Sequence, residues 1–429
     1  MTVTLALNAF VNYLALYGVI RIVAGGRMHA RAPVFGALLA FGMFCLLSLL
    51  ESSPSGNALE LTSLLATTTY YSATLIAVVL TIGLMRRLAD DGSWRLGSRT
   101  VLIAALAAVS TLSNPLFLAW AVVPLGVVLA VLVMTRPNSR PTAVPAAVAL
   151  VSGGIIGLVC RIPFAHVITN TGVGYLQPDR WADSITSYLG LLADRAQSLA
   201  GLFAIALSIA AWVAAIFIWS IARRRRADGA AFVAASAWVL PVIVVLGAIT
   251  LGTHAARYLE PIAFAPVLAF AVAPLFRRAP TMARATSVVR TLMIAGAVSL
   301  LAVTSAVAAP RVVEGVSLVD PDATCVTQWV ASSGQTGVGQ FWTVRNLKAH
   351  LGDPRHLIQV DTNLRGYAWL VNRDDLRIDE VSFFVLDDQS PPLTLPTGLS
   401  INDSKKTQCG RYTIVDFAPA TVSIGTPVS

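Results

Sequence analysis

The stretch THAARYLEP, residues 253–261, sets His254, Arg257, Tyr258 and Glu260 within nine residues, between two long apolar runs. These residue types have distinct chemical uses. An arginine fork binds phosphate through paired N–H donors. Histidine and glutamate exchange protons in general acid–base catalysis. More polar residues collect at the ends of other apolar runs: Glu51, Glu60, Tyr70, Tyr71, Asn114, Arg161, His166, Tyr175, Asp179, Arg180, Trp181 and Asp183. Glu51, Glu60, Asp179 and Asp183 are the candidate bases. Arg257 is the first candidate for an anion ligand and Arg161 the second. Tyr258, His254, Glu260, Tyr70, Tyr71 and Asn114 are candidate substrate contacts.

Each of these has a plainer reading beside it. An arginine at the end of a span also snorkels to lipid phosphates or pairs with a nearby glutamate. Glu260 precedes Pro261 at a helix start, where a carboxylate complements the helix dipole. Tyr70 and Tyr71 also fit an interfacial aromatic belt. No two carboxylates stand convincingly side by side, so no metal ligand and no cofactor is assigned, and a divalent-metal requirement is undetermined.

The elements that must position these residues are membrane spans. The chain has 429 residues, 56% hydrophobic and only 12% charged, with a mean hydropathy of +0.71. Soluble domains carry about 25% charged residues. Apolar runs near the roughly 20 residues of a spanning helix occur at 3–22, 33–50, 62–85, 99–113, 116–135, 143–164, 199–222, 229–251, 259–276 and 288–309. The fourth is short. The first lacks a basic flank before it and a small-residue cleavage site after it, so it reads as a retained span rather than a signal peptide.

Loops alternate in charge. RIVAGGRMHAR, RRLADDGSWRLGSR, RPNSRP, RRRRADG and RRAPTMARATSVVR are all basic. ESSPSGNALEL, SNP, residues 165–198 and THAARYLEP are mixed or acidic. By the positive-inside rule the basic set faces the cytoplasm. The net charge of +9 is therefore a topology signal, with no nucleic-acid partner implied. Membrane lipids are the implied partners. The candidate residues above then share the outer side with the N-terminus and residues 310–429. In residues 165–198, Trp181, Ile185, Leu189, Leu192 and Ala196 recur on one helix face, which predicts a helix in the outer interface.

Residues 1–309 thus form a multi-span domain and residues 310–429 a small extracytoplasmic α/β domain. CVTQWVASSG reads as helix, GVGQFWTVRNLKAHLG as strand then helix, and RHLIQVD, EVSFFVLDD and GRYTIVDFAP as strands. Outside the cytosol Cys325 and Cys409 have the chance to form a disulfide; two free thiols is the alternative. Cys45 and Cys160 fall in spans as small apolar residues. No internal repeat, Walker A, G-x-G-x-x-G, C-x-x-C or H-E-x-x-H pattern occurs.

In TTTYYSATLIAVVLTIGLMRR, STLSNPLFLAWAVVPL, ARYLEPIAFAPVLAF and the tail with GQFWTVRNL, the chain resembles bacterial polytopic glycosyltransferases of the GT-C type. The likeness runs from about residue 60 to the end, on short motifs. It is greater to members without an assigned substrate than to any enzyme of known specificity. The resemblance implies a polyprenyl-phosphate-linked sugar donor, an active site at the outer face of the bacterial inner membrane, and Arg257 and Tyr258 at a phosphate-binding corner.

There are departures. Such enzymes open with a cytoplasmic N-terminus, one span and a large outer loop carrying a catalytic acid, yet no acidic residue precedes Glu51 here. The outward N-terminus is what absence of that span and loop would leave. Tyr70 and Tyr71 follow Thr69 where relatives tend to carry a histidine, and Asn114 stands where they tend to carry an aspartate. Two functions follow: a glycosyltransferase-like enzyme, or an inactive or shortened relative that binds lipid or partners. A transporter fits less well, because repeats are absent and the polar residues sit at span ends rather than centres.

Overall fold

A computed structural model describes residues 2–25, 31–51, 59–66, 70–91, 97–167 and 177–276. It also describes 295–296, 298–299, 302–303, 305–307, 309–310 and 313, and 319–428 apart from 369–370, 388–389, 391, 397–400 and 402–403. The chain divides into two units: Met1–Ile162 with Gly174–Val313, and Pro163–Val173 with Glu314–Ser429.

The first unit is helical. Its main helices are α1 (Thr2–Ala24), α2 (Arg31–Leu49), α3 (Tyr70–Asp91), α4 (Ser98–Ser113), α5 (Val123–Thr135), α6 (Arg140–Val159), α7 (Trp181–Ala196), α8 (Leu199–Arg224) and α9 (Asp228–Thr250). Among the described residues, eight helical stretches are long and apolar enough to cross a membrane, and α4 is a shorter apolar helix. The tenth expected span, 288–309, lies largely outside the described residues.

Two stretches depart from regular helix. The expected span 62–85 starts later, at Tyr70, after a separate 3-10 turn at Ser63–Ala66. The expected span 259–276 is broken into short pieces, among them α10 (Pro261–Phe264) and α11 (Leu268–Val272). Pro261, Pro266 and Pro274 explain this, because each removes a backbone N–H from the helical ladder. Leu118–Val122, ahead of α5, is wound as a π-helix.

Small residues let helices approach closely. A Cβ on Gly157 of α6 would come within 2.5 Å of the Ala108 carbonyl on α4, and one on Gly153 would collide with the Ala104 carbonyl. Described residues at the basic ends of several helices are tied together. Buried Arg86 of α3 donates to the Val23 carbonyl at 2.6 Å and faces Asp90 at 3.2 Å. Arg136 pairs with Asp228 and donates to the Arg223 carbonyl.

The second unit carries helices α12 (Pro321–Ser333) and α13 (Phe341–Lys348). Its strands are β1 (Gly337–Gln340), β2 (Leu357–Val360), β3 (Arg365–Tyr367), β4 (Glu380–Val381), β5 (Phe383–Leu386), β6 (Lys405–Cys409), β7 (Tyr412–Asp416), β8 (Val422–Ser423) and β9 (Gly425–Val428). A seven-stranded sheet has the order β6-β7-β5-β1-β2-β3-β9. β1 is parallel to β2 and β5, with Val338 opposite Ile358 and Phe384, while β7 runs antiparallel to β5 and β6.

Alternation along the strands makes two cores. Phe383, Val385, Ile414 and Tyr412 pack with α12 and α13 on one face. Val338, Ile358, Phe384 and Val415 fill the other. Asp320 caps α12 by accepting from the backbone N–H groups of Asp322 and Ala323, and Gly334 ends it at φ +65°. A Cys325–Cys409 disulfide joins α12 to β6 across 84 residues of chain.

Candidate functional site

In the first unit, several sequence candidates are occupied by structural tasks. Glu51 follows α2 and caps the Ser63–Ala66 turn. Its Oε1 accepts from the Thr62 N–H at 2.8 Å and its Oε2 from the Ser63 N–H at 2.6 Å. Burial pushes the Glu51 carboxyl above its ordinary range, against the opposing pull of those hydrogen bonds. Glu60 pairs with Arg195 of α7 at 2.5 Å, both side chains nearly fully buried. Arg195 also donates to the Leu50 carbonyl at 2.7 Å. These two carboxylates, read as candidate bases, are therefore engaged by donors.

Arg161 donates to the Leu112 carbonyl at 2.8 Å. That carbonyl belongs to the last turn of α4, where intrahelical partners run out. Asn114 is buried, donates to the Thr74 hydroxyl at 2.9 Å, and accepts from the Leu116 N–H. It ties the end of α4 to α3. Asp179, Asp183 and His254 are exposed. The side chains of Tyr70, His166 and Tyr175 lie outside the described residues.

What comes together is a smaller group. The Arg257 guanidinium lies 5.9 Å from the centroid of the Tyr71 ring and 5.6 Å from that of Tyr258. Tyr71 is in turn 6.3 Å from Trp120, centroid to centroid. The Trp120 indole, in the π-helical turn, donates to the Tyr258 carbonyl at 3.0 Å. That bond fixes the Ala256–Leu259 turn against the start of α5. Such π segments recur at functional sites because they re-aim side chains within a helix.

Glu260 lies three residues beyond Arg257 in the chain. It is 1% exposed, and neither carboxylate oxygen has a hydrogen-bond partner among the described residues. Glu51 lies within electrostatic reach of it. An ionised carboxylate buried without a partner is costly, so an unengaged one three residues from Arg257 in the chain is a candidate functional position.

From the other side, α7 grips the THAARYLEP stretch. Ser184 donates to the Thr253 carbonyl at 2.8 Å, and the Tyr188 hydroxyl meets the Thr253 hydroxyl at 2.5 Å. Sequence reasoning missed Trp120, Ser184, Tyr188 and Arg195. A signal for three of them was present: Ser184, Tyr188 and Arg195 recur at i, i+4 and i+11 on one helix face.

Chemically, the group offers a cation for an anionic oxygen and a carboxylate for a proton. No cluster of three or more metal-ligating side chains occurs among the described residues. Comparison with protein-family models, with curated proteins and with solved structures finds no match.

Proposed function

We propose that the chain is a glycosyltransferase-like integral membrane protein of the bacterial inner membrane, receiving a polyprenyl-phosphate-linked sugar at its outer face. The observation that carries this reading is the presence in one short stretch, three residues apart, of Arg257 on its Tyr71–Tyr258 platform and of the buried and unengaged carboxylate of Glu260. Arg257 holds the donor phosphate and stabilises the charge that grows on it. Glu260 takes the proton of the acceptor hydroxyl. The acceptor oxygen bonds to the anomeric carbon, the bond from that carbon to the phosphate oxygen breaks, and polyprenyl phosphate leaves with the electron pair. The Tyr188–Thr253 and Trp120–Tyr258 bonds are positioning contacts that hold the Arg257 backbone from two sides.

One observation favours a second reading, a relative that binds the lipid without transferring the sugar. Two of the candidate bases, Glu51 and Glu60, are both held by donors in structural tasks, as in a protein that keeps an anion-binding corner without its acid–base groups.

The test is release of polyprenyl phosphate from a lipid-linked sugar by the full chain in proteoliposomes. Transfer by the wild type, with loss in Glu260→Gln at unchanged donor binding, supports the enzyme. Donor binding without transfer in the wild type supports the second reading. Absence of donor binding defeats both.

A further inference from the structure

We propose that α7 is a lipid-binding helix that beds one flank in the acyl–glycerol boundary of a phospholipid leaflet while its second flank locks onto the bundle. The inference rests on three stripes along one helix and is independent of any transfer reaction.

The first stripe faces protein and is polar. Ser184, Tyr188 and Arg195 point inward, and each is bonded to the bundle: Ser184 and Tyr188 to Thr253, Arg195 to Glu60 and the Leu50 carbonyl. The second stripe is apolar and exposed. Trp181, Ile185, Leu189 and Leu192 recur at i, i+4, i+8 and i+11, and are 42%, 43%, 59% and 38% exposed. The third is Asp183, Thr186, Gly190 and Asp194, all exposed, at i, i+3, i+7 and i+11. At about 100° per residue, this polar stripe lies roughly opposite the apolar one.

A helix on an aqueous surface turns polar residues outward and apolar residues inward. Here the inward face is polar and satisfied, and a long apolar strip is left outside. Phospholipid is the occupant because the strip continues the apolar exterior of the spans. The Trp181 indole donates to the Thr250 carbonyl at 2.8 Å, one turn beyond exposed Leu246 of α9. Beyond its other end the chain runs into exposed Leu199, Leu202 and Phe203 at the start of α8. An amphipathic helix of this kind sinks about 5–10 Å into the headgroup–acyl boundary, which leaves Asp183 and Asp194 to water.

This placement assigns Arg195 and Glu60 a further role. Their ion pair connects a helix seated in lipid to the segment leading into the Glu51-capped turn, while Ser184 and Tyr188 connect it to the stretch bearing Arg257 and Glu260.

The test is nitroxide accessibility in the full-length protein. Labels are placed at Leu189→Cys and, separately, Asp194→Cys, with Cys45→Ala and Cys160→Ser as background and the Cys325–Cys409 disulfide intact. The protein is reconstituted in vesicles of phosphatidylethanolamine and phosphatidylglycerol. The label at 189 is expected to collide with oxygen and be shielded from a water-soluble nickel chelate, and the label at 194 to show the reverse, with a several-fold difference in the ratio. Nickel access at 189 equal to that at 194 would place α7 in water and overturn the proposal. Shielding at 189 from both probes would show a protein surface there and overturn it equally.

Discussion

Glu260 carries an energetic cost that its surroundings do not relieve. Its oxygens lack hydrogen-bond partners among the described residues while the side chain is buried. Leaving a charged group in that state costs about 1–3 kcal/mol or more. Glu260→Gln removes the charge with little change in shape, so thermal unfolding in detergent should occur at an unchanged or higher temperature. Sugar transfer should be lost in the same variant. A marked fall in unfolding temperature would show that the carboxylate serves the fold and not a reaction. Tyr71→Leu tests the platform: loss of the cation–π contact with Arg257 is worth about 0.5–2 kcal/mol. It should weaken donor binding by up to roughly thirtyfold without altering the maximal rate as strongly.

Among the elements, α7 and the break at residues 256–276 decide the site, and they were unequally legible. The apolar stripe of α7 could be read from spacing, because Trp181, Ile185, Leu189 and Leu192 keep helical period. The inward polar stripe could not, since Ser184 and Tyr188 gain meaning only from Thr253, 65 or more residues away. The long apolar helices were visible as hydrophobic runs. The shattering of the last described one was written in Pro261, Pro266 and Pro274 but was outweighed by apolar content. Glu51 and Glu60 looked like free acids because a sequence does not display the backbone N–H groups and the arginine that occupy them. In the second unit, GVGQFWTVRNLKAHLG, RHLIQVD and GRYTIVDFAP were legible, whereas edge strand β6, KKTQC, has too little apolar alternation to announce itself.

Three element-scale outcomes follow from this packing. Arg195→Met strands Glu60 in a buried setting and should cost about 3–5 kcal/mol, measurable as reduced unfolding temperature. Adding Glu60→Leu should recover much of that loss. Gly157→Leu should force α4 from α6 and destabilise by about 1–3 kcal/mol. For α12, burial alone would raise the Asp320 carboxyl. The Arg411 guanidinium and the Ala323 and Asp322 N–H groups outweigh it and hold the group below its ordinary value. A depressed carboxylate stabilises the fold above its unfolded pKa of about 3.9, and that contribution fades as pH falls through the lower folded value. Arg411→Ala should therefore flatten the acid limb of the unfolding curve below about pH 4.

For the molecule as a whole, chemistry divides between the units. The first holds the cation, the unengaged carboxylate and the apolar exterior. The second is a sheet with helices on one face, secured by the Cys325–Cys409 bond. Thiol labelling of unfolded, unreduced protein should count two cysteines, Cys45 and Cys160, and four after reduction. An oxidising location for the tail predicts that an alkaline phosphatase fused after residue 429 is active. The central claim, that Arg257 receives the phosphate of a membrane-borne lipid, is tested most directly by titrating polyprenyl phosphate onto reconstituted wild type and Arg257→Ala. Loss of charge-assisted bonds worth about 1.5–3 kcal/mol predicts a roughly ten- to hundredfold rise in Kd, with the unfolding temperature preserved. Equal affinity in the two proteins, each folded, would contradict the account.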